Sequence, residues 1–171
     1  MTADEKRMLR HFLAALAYRT QKALREAPAE FAEFAAGHQV RTPMELVRHM
    51  TSVLGYARTH FVGGQYRSEA LANMSDEVAR FHEMLESLAS HIDAADEAPV
   101  TAEQLLQGPL ADAMTHAGQI ALLRRLAGIP VAPENFIVAG IDKGRLGVNQ
   151  PAPASPDKEW PEAPAGWISK T

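Results

Sequence analysis

In the stretch GPLADAMTHAGQIALLRRLAG, Gly108 to Gly128, Asp112 and His116 stand four residues apart among Leu, Ala, Met and Ile. On a helix that spacing puts the two side chains on one face, roughly 6 Å apart at Cβ. A carboxylate and an imidazole so placed can converge on one divalent ion through bonds of about 2.0–2.2 Å. The same spacing also suits a simple Asp–His ion pair or a core histidine bonded to its neighbour. The next residues on that face, Gln119, Ile120 and Leu123, do not form a solvated stripe.

An open metal site needs a third ligand from another element. The remaining histidines are 11, 38, 49, 60, 82 and 91. His49 lies within the second helical stretch, about 40° around from Val53 at the edge of its apolar stripe. His60 follows nearly the same line but roughly 16 Å farther along the axis, too far to share an ion with His49. His82 and His91 lie off the apolar seam of the third helix and read as solvated, and His11 and His38 have no evident partners. His49 is therefore the third candidate, with a surface pair to Glu45, four residues earlier, as the alternative. His49, Asp112 and His116 would leave coordination positions open, and Zn, Ni or Fe(II) suits such a donor set. Gln119, three residues after His116, is a candidate to orient that ring.

Other motifs fail. HEMLE at His82 lacks the second zincin histidine, since that position is Glu86, and no Glu-x-x-His occurs to support a di-iron bundle. GIDKGRLG, Gly140 to Gly147, has glycines but no strand–helix context and reads as a turn rather than a phosphate loop. Arg124 and Arg125 fall in a last helical turn, where they complement the dipole.

Four helices must position these residues. The first spans about residues 3 to 24 and ends before Pro28, with Leu9, Phe12, Leu13, Leu16 and Thr20 on one face. Thr42 caps the second and Pro43 suits its first position; Leu46, Met50, Val53, Ala57 and Phe61 form its stripe and Gly63-Gly64 stops it. The third carries Leu71, Met74, Val78, Phe81, Leu85, Leu88 and Ile92, an alternation of three and four that makes a bundle seam. Thr101 with Gln104 is a capping box for a short helical turn. Gly108-Pro109 then restarts the chain as the fourth long helix, ended by Gly128 and Pro130. The expected architecture is all-α, an antiparallel four-helix bundle over residues 1–128. Seven of the eleven prolines and both tryptophans, Trp160 and Trp167, lie beyond Gly128. Residues 129–171 therefore read as a largely non-helical extension, ordered enough to pack on the bundle or on a partner subunit.

Composition narrows the function. A net charge of −4 gives no basic footprint for nucleic acid. Apolar runs fall short of the roughly 20 residues of a membrane span, and the N-terminus does not read as a signal peptide. A cytoplasmic location follows as the expectation. The absence of cysteine removes disulfides, thiolate ligands and cysteine nucleophiles.

TPMELVRHM, followed some sixty residues later by DAMTHAGQIALLRRLAG, resembles the DinB/YfiT-like superfamily of four-helix-bundle metalloenzymes. The resemblance covers roughly residues 5 to 130. It implies a homodimeric bundle whose divalent metal is held by one histidine of the second helix and two ligands of the last, here His49, Asp112 and His116. Most members carry histidine where this chain has Asp112. In the similar mycothiol-dependent maleylpyruvate isomerases a glutamate takes that place and the metal is zinc. The resemblance further implies a small-molecule substrate, with low-molecular-weight thiols such as mycothiol or bacillithiol in the active members and hydrolysis in others. The expectation is thus a metal-dependent thiol transferase or hydrolase. The alternative is a non-enzymatic stress-associated or ligand-binding bundle whose metal site is structural or vestigial.

Overall fold

A computed structural model of the chain describes residues 1–95, 97–160 and 163. Four long helices, α1 (Ala3–Leu24), α2 (Pro43–Val62), α3 (Met74–Ala94) and α5 (Ala111–Leu126), are joined by loops and by the one-turn α4 (Ala102–Leu105). Among the described residues there is no strand, only an isolated bridge between Glu134 and Pro156. The protein is all-α. α1 packs against α3 and α5, and α2 packs against the same two.

The starts of α1 to α4 are chemically marked. Thr2 with Glu5, Thr42 with Glu45, and Thr101 with Gln104 form reciprocal capping boxes, and Asn73 caps α3 through Asp76 N. Each box satisfies backbone N–H groups that a helix start otherwise leaves unpaired. Leu71, part of the expected seam, lies before this cap, so α3 begins at Met74. Gly63 ends α2 at φ 78° and Gly128 follows α5 at φ 74°, left-handed conformations that favour glycine.

As the sequence suggests, the chain breaks and restarts as a helix at Gly108-Pro109. α4 passes through a wide π-type turn, Leu106–Leu110, into α5. Gly108 alone leaves helical geometry there, at φ −98° and ψ −106°. Proline has no N–H to give the helical ladder, so the break falls beside it. Leu105 and Leu110 stay buried on either side, so core packing carries the rod across its kink.

Leu9, Leu13 and Leu16 of α1, Leu46, Met50 and Leu54 of α2, Phe81, Leu85 and Leu88 of α3, and Leu110 and Ile120 of the last rod form one core. Each such side chain contributes about 1.5–3 kcal/mol through burial. One carboxylate is fully buried: Glu77 of α3, held by Arg48 of α2, at 2.7 Å, and by Arg80. That pair ties α2 to α3 one residue before His49.

The segment after α5 lies across α1 and α3. Gln21 Nε2 donates to Val148 O at 2.9 Å, Arg25 to Pro151 O at 2.6 Å, and the Tyr18 hydroxyl to Glu134 Oε1 at 2.7 Å. Trp160 is buried, whereas Trp167 lies outside the described residues. His82, expected in solvent, is also buried, because this segment covers it and its Nδ1 lies 2.6 Å from Leu146 O. The seam of α3 alone could not reveal a cover supplied from sixty-four residues away.

Burial pushes the His82 imidazole below its ordinary range, the Leu146 hydrogen bond opposing. The folded state therefore binds fewer protons than the unfolded one as pH falls through the usual imidazole value of about 6.5. The stability contributed by neutral His82 is complete above that value and declines below it. Denaturant titrations at about pH 7 and pH 5 should show a larger loss in the wild type than in His82→Asn, which keeps a donor without titrating. Equal losses would remove His82 from the acid response.

Candidate metal centre

His49 comes from the second turn of α2, whose register is set by the Thr42–Glu45 cap and Pro43 at its first position. Asp112 and His116 come from the first two turns of α5, just past the kink. The contact between α2 and α5 brings all three together. His116 Nε2 lies 3.2 Å from Asp112 Oδ1, and His49 Nε2 lies 4.0 Å from Asp112 Oδ2. The two imidazoles meet edge to face with centroids 4.7 Å apart. One ligand atom from each residue lies within 4.8 Å of the others.

Around an ion with bonds of about 2.0–2.2 Å, adjacent donors stand about 3–3.5 Å apart. One of the two donor separations from Asp112 is in that range and the other exceeds it by about half an ångström, a side-chain adjustment. The donor set fits a divalent ion: two imidazoles and a carboxylate, with no thiolate in the chain.

The condition of His116 is the most specific feature of the group. Its side chain is 9% exposed, and its Nδ1 sits 2.8 Å from Gln119 Oε1. An amide oxygen only accepts, so this contact calls for the proton on Nδ1, and in the neutral ring Nε2 then keeps its lone pair. That Nε2 is buried without a hydrogen-bond partner. Asp112, half exposed, holds its Oδ1 3.2 Å from that nitrogen, within ion-pair distance. Polar atoms buried in this way are uncommon in folded proteins, and an oriented imidazole with a free lone pair is the form a metal ligand takes.

Burial pushes His49 below the usual imidazole range, the Arg41 guanidinium and His116 act in the same direction, and Asp112 opposes them. His49 is thus neutral, as a ligand must be, at neutral pH. The alternative partner, Glu45, is turned back onto Thr42 N at 2.9 Å. His60 stands near the end of α2 with its ring edge-on to Tyr56. Away from this group, His11 and His38 are exposed.

An open depression of about 530 Å³ borders the cluster on the side of His49 and Asp112. Its walls are Ser52, Val53 and Tyr56 of α2 and Gln107, Gly108 and Pro109 of the kinked turn. Sequence reasoning stopped at the ligands and missed these residues. The α2 members stand three, four and seven positions after His49, the spacing of one helix face, so the signal was present. The kink members Gln107, Gly108 and Pro109 carry no such spacing signal.

Compared with known proteins, the chain matches no family model, no curated protein and no solved structure. The site is therefore read from its own geometry. Among the described residues, no helix is long and apolar enough to cross a membrane.

Gln119 should fix the His116 tautomer. Long-range 15N NMR of the wild type above the imidazole titration should show a protonated Nδ1 and an unprotonated Nε2. Gln119→Leu should give a mixture of the two tautomers. A single Nδ1-H form in that variant would assign the tautomer to something other than Gln119.

Proposed function

We propose that this protein is a divalent-metal-dependent enzyme acting on a small molecule, with His49, Asp112 and His116 holding Zn, Ni or Fe. The observation that carries this reading is the buried His116 Nε2, without a hydrogen-bond partner and 3.2 Å from Asp112 Oδ1, converging with His49 and Asp112 at the rim of an open depression. A bound divalent ion would supply positive charge that polarises, or promotes ionisation of, an oxygen or sulfur atom placed beside it. The chain's residues do the rest. His49 and Asp112 face the depression and bring their donors to its wall, and Gln119 holds the His116 ring in one orientation. Val53, Pro109 and Tyr56 offer an apolar surface on which the rest of a small substrate can lie.

Thiol transfer and hydrolysis are the two reactions this arrangement suits. A chain without cysteine would take any thiol from its substrate. The proposed architecture is a DinB-type antiparallel four-helix bundle in the cytoplasm. A dimer partner would cover Leu122 and Leu126, which are more than half exposed on α5. A non-enzymatic structural centre is the less favoured reading. Structural zinc sites are closed by four protein ligands, whereas the group found among the described residues has three.

Untagged wild-type protein should contain close to one equivalent of divalent metal by elemental analysis. His116→Ala and Asp112→Ala should retain less than about a tenth of it, since losing a ligand costs more than the 10–100-fold of an outer-shell change. Metal-replete wild type should consume a low-molecular-weight thiol or hydrolyse a small ester or amide, and both variants should be inactive. Equal trace metal in all three proteins would refute the site. Full metal without turnover of any such substrate would favour the structural reading.

A further inference from the structure

Away from that centre, α1, α5 and the segment following α5 enclose a second cavity of about 210 Å³. Arg19 and Lys22 of α1 and Arg125 of α5 contribute three cations to its lining, and Glu134 contributes one carboxylate. Two atoms of these side chains are buried with no hydrogen-bond partner: Arg125 Nε, a donor, and Glu134 Oε2, an acceptor. Both atoms are closed to water, so an occupant of the cavity serves the two orphaned groups once their side chains turn toward it.

Glu134 is 8% exposed and pinned through its other oxygen, which accepts from the Tyr18 hydroxyl at 2.7 Å and from Ala154 N at 3.0 Å. Burial and the same carboxylate push the Tyr18 hydroxyl up to about 12, so Tyr18 stays a donor and Oε2 stays free. Lys22 is 8% exposed and gives one N–H to Ala132 O, although an ammonium carries three. The Arg19 guanidinium lies 4.0 Å over the Phe136 ring, which fixes its plane at the cavity wall. Burial lowers the proton affinity of Lys22, Arg125 and Arg19 add to that, and Glu134 and Asp157 oppose it. Positive charge is thus in excess among the lining groups, and an anion would relieve the repulsion. An anion with no proton would turn its own lone pairs toward Glu134 Oε2. One that carries an O–H would satisfy it.

We propose that this cavity binds a small oxyanion that bears its own proton donor, of which protonated inorganic phosphate is the simplest case. Its unprotonated oxygens accept from Arg125 and Lys22, and its P–OH donates to Glu134 Oε2. Sulfate has the same shape and no proton at neutral pH, so the cavity discriminates against it. A phosphoryl group on a larger molecule has a P–OH only as its monoanion, below a second pKa of about 6, so methyl phosphate should bind more weakly than the free ion at neutral pH.

Isothermal titration of the full chain at neutral pH and constant ionic strength checks the proposal. Phosphate should bind saturably and at least about tenfold more tightly than sulfate, a difference of about 1.4 kcal/mol. Arg125→Gln should lose about tenfold in phosphate affinity, and Glu134→Gln should narrow the gap between the two anions. Should freeing Tyr18 unfold Glu134→Gln, the Arg125 variant and the phosphate-to-sulfate ratio carry the test. Neither change should alter bound divalent metal, which separates this site from the His49–Asp112–His116 centre. Equally weak titrations with phosphate, methyl phosphate and sulfate would overturn the proposal and leave the cavity to water, as would discrimination that survives both substitutions.

Discussion

A buried imidazole nitrogen that has given up water must find another partner or burden the fold, and His116 Nε2 is such an atom. Its surroundings are organised around that constraint. α5 presents Ala113 and Ala117 to the core, small side chains that let neighbouring helices approach closely. His116 shares this buried face and is drawn into the contact with α2, where His49 meets it ring to ring. Gln119, one turn on, accepts the Nδ1–H hydrogen bond, so the lone pair of the neutral ring lies where Asp112 and His49 converge. Burial, tautomer and convergence are each explicable alone; together they describe a ligand set.

The kink at Gly108-Pro109 gives that set an outside. A straight helix continuing from α4 would carry side chains where the depression now lies. Gly108 has no Cβ and Pro109 no N–H, so the rod bends there and its wide turn becomes one wall beside Asp112. The buried Glu77–Arg48 pair on the other side of α2 stabilises the opposite anchor. Removing one partner from such a buried pair is strongly destabilising, because the remaining charge is then left unpaired.

Local chemistry made much of this legible in the sequence. Thr42-Pro43, Thr101 with Gln104, and the glycines at 63 and 128 announce helix ends because caps and left-handed turns need those side chains. The i, i+4 spacing of Asp112 and His116 and the angular position of His49 led to the cluster because helix geometry is regular. What depends on distant chain was hidden. His82 reads as a surface histidine until the loop at Leu146 covers it. Glu77 looks like a solvated residue until Arg48 and Arg80 arrive from two directions. Glu134 sits in a Pro-rich stretch with no periodicity, and only docking on α1 gives it Tyr18 and a cavity lined by cations. The restart at Gly108-Pro109 was legible because those residues punctuate a chain, whereas buried Leu105 and Leu110, which keep both sides of the break in one core, were not.

The central claim is that His49, Asp112 and His116 hold one divalent ion. X-ray absorption at the zinc edge, on protein carrying one equivalent of zinc, tests it most directly. The account predicts a low-coordinate shell of nitrogen and oxygen at about 2.0–2.2 Å, the outer-shell scattering of two imidazoles, and loss of one imidazole in His116→Ala. A shell of water oxygens without imidazole scattering, or a spectrum unchanged in that variant, would contradict it.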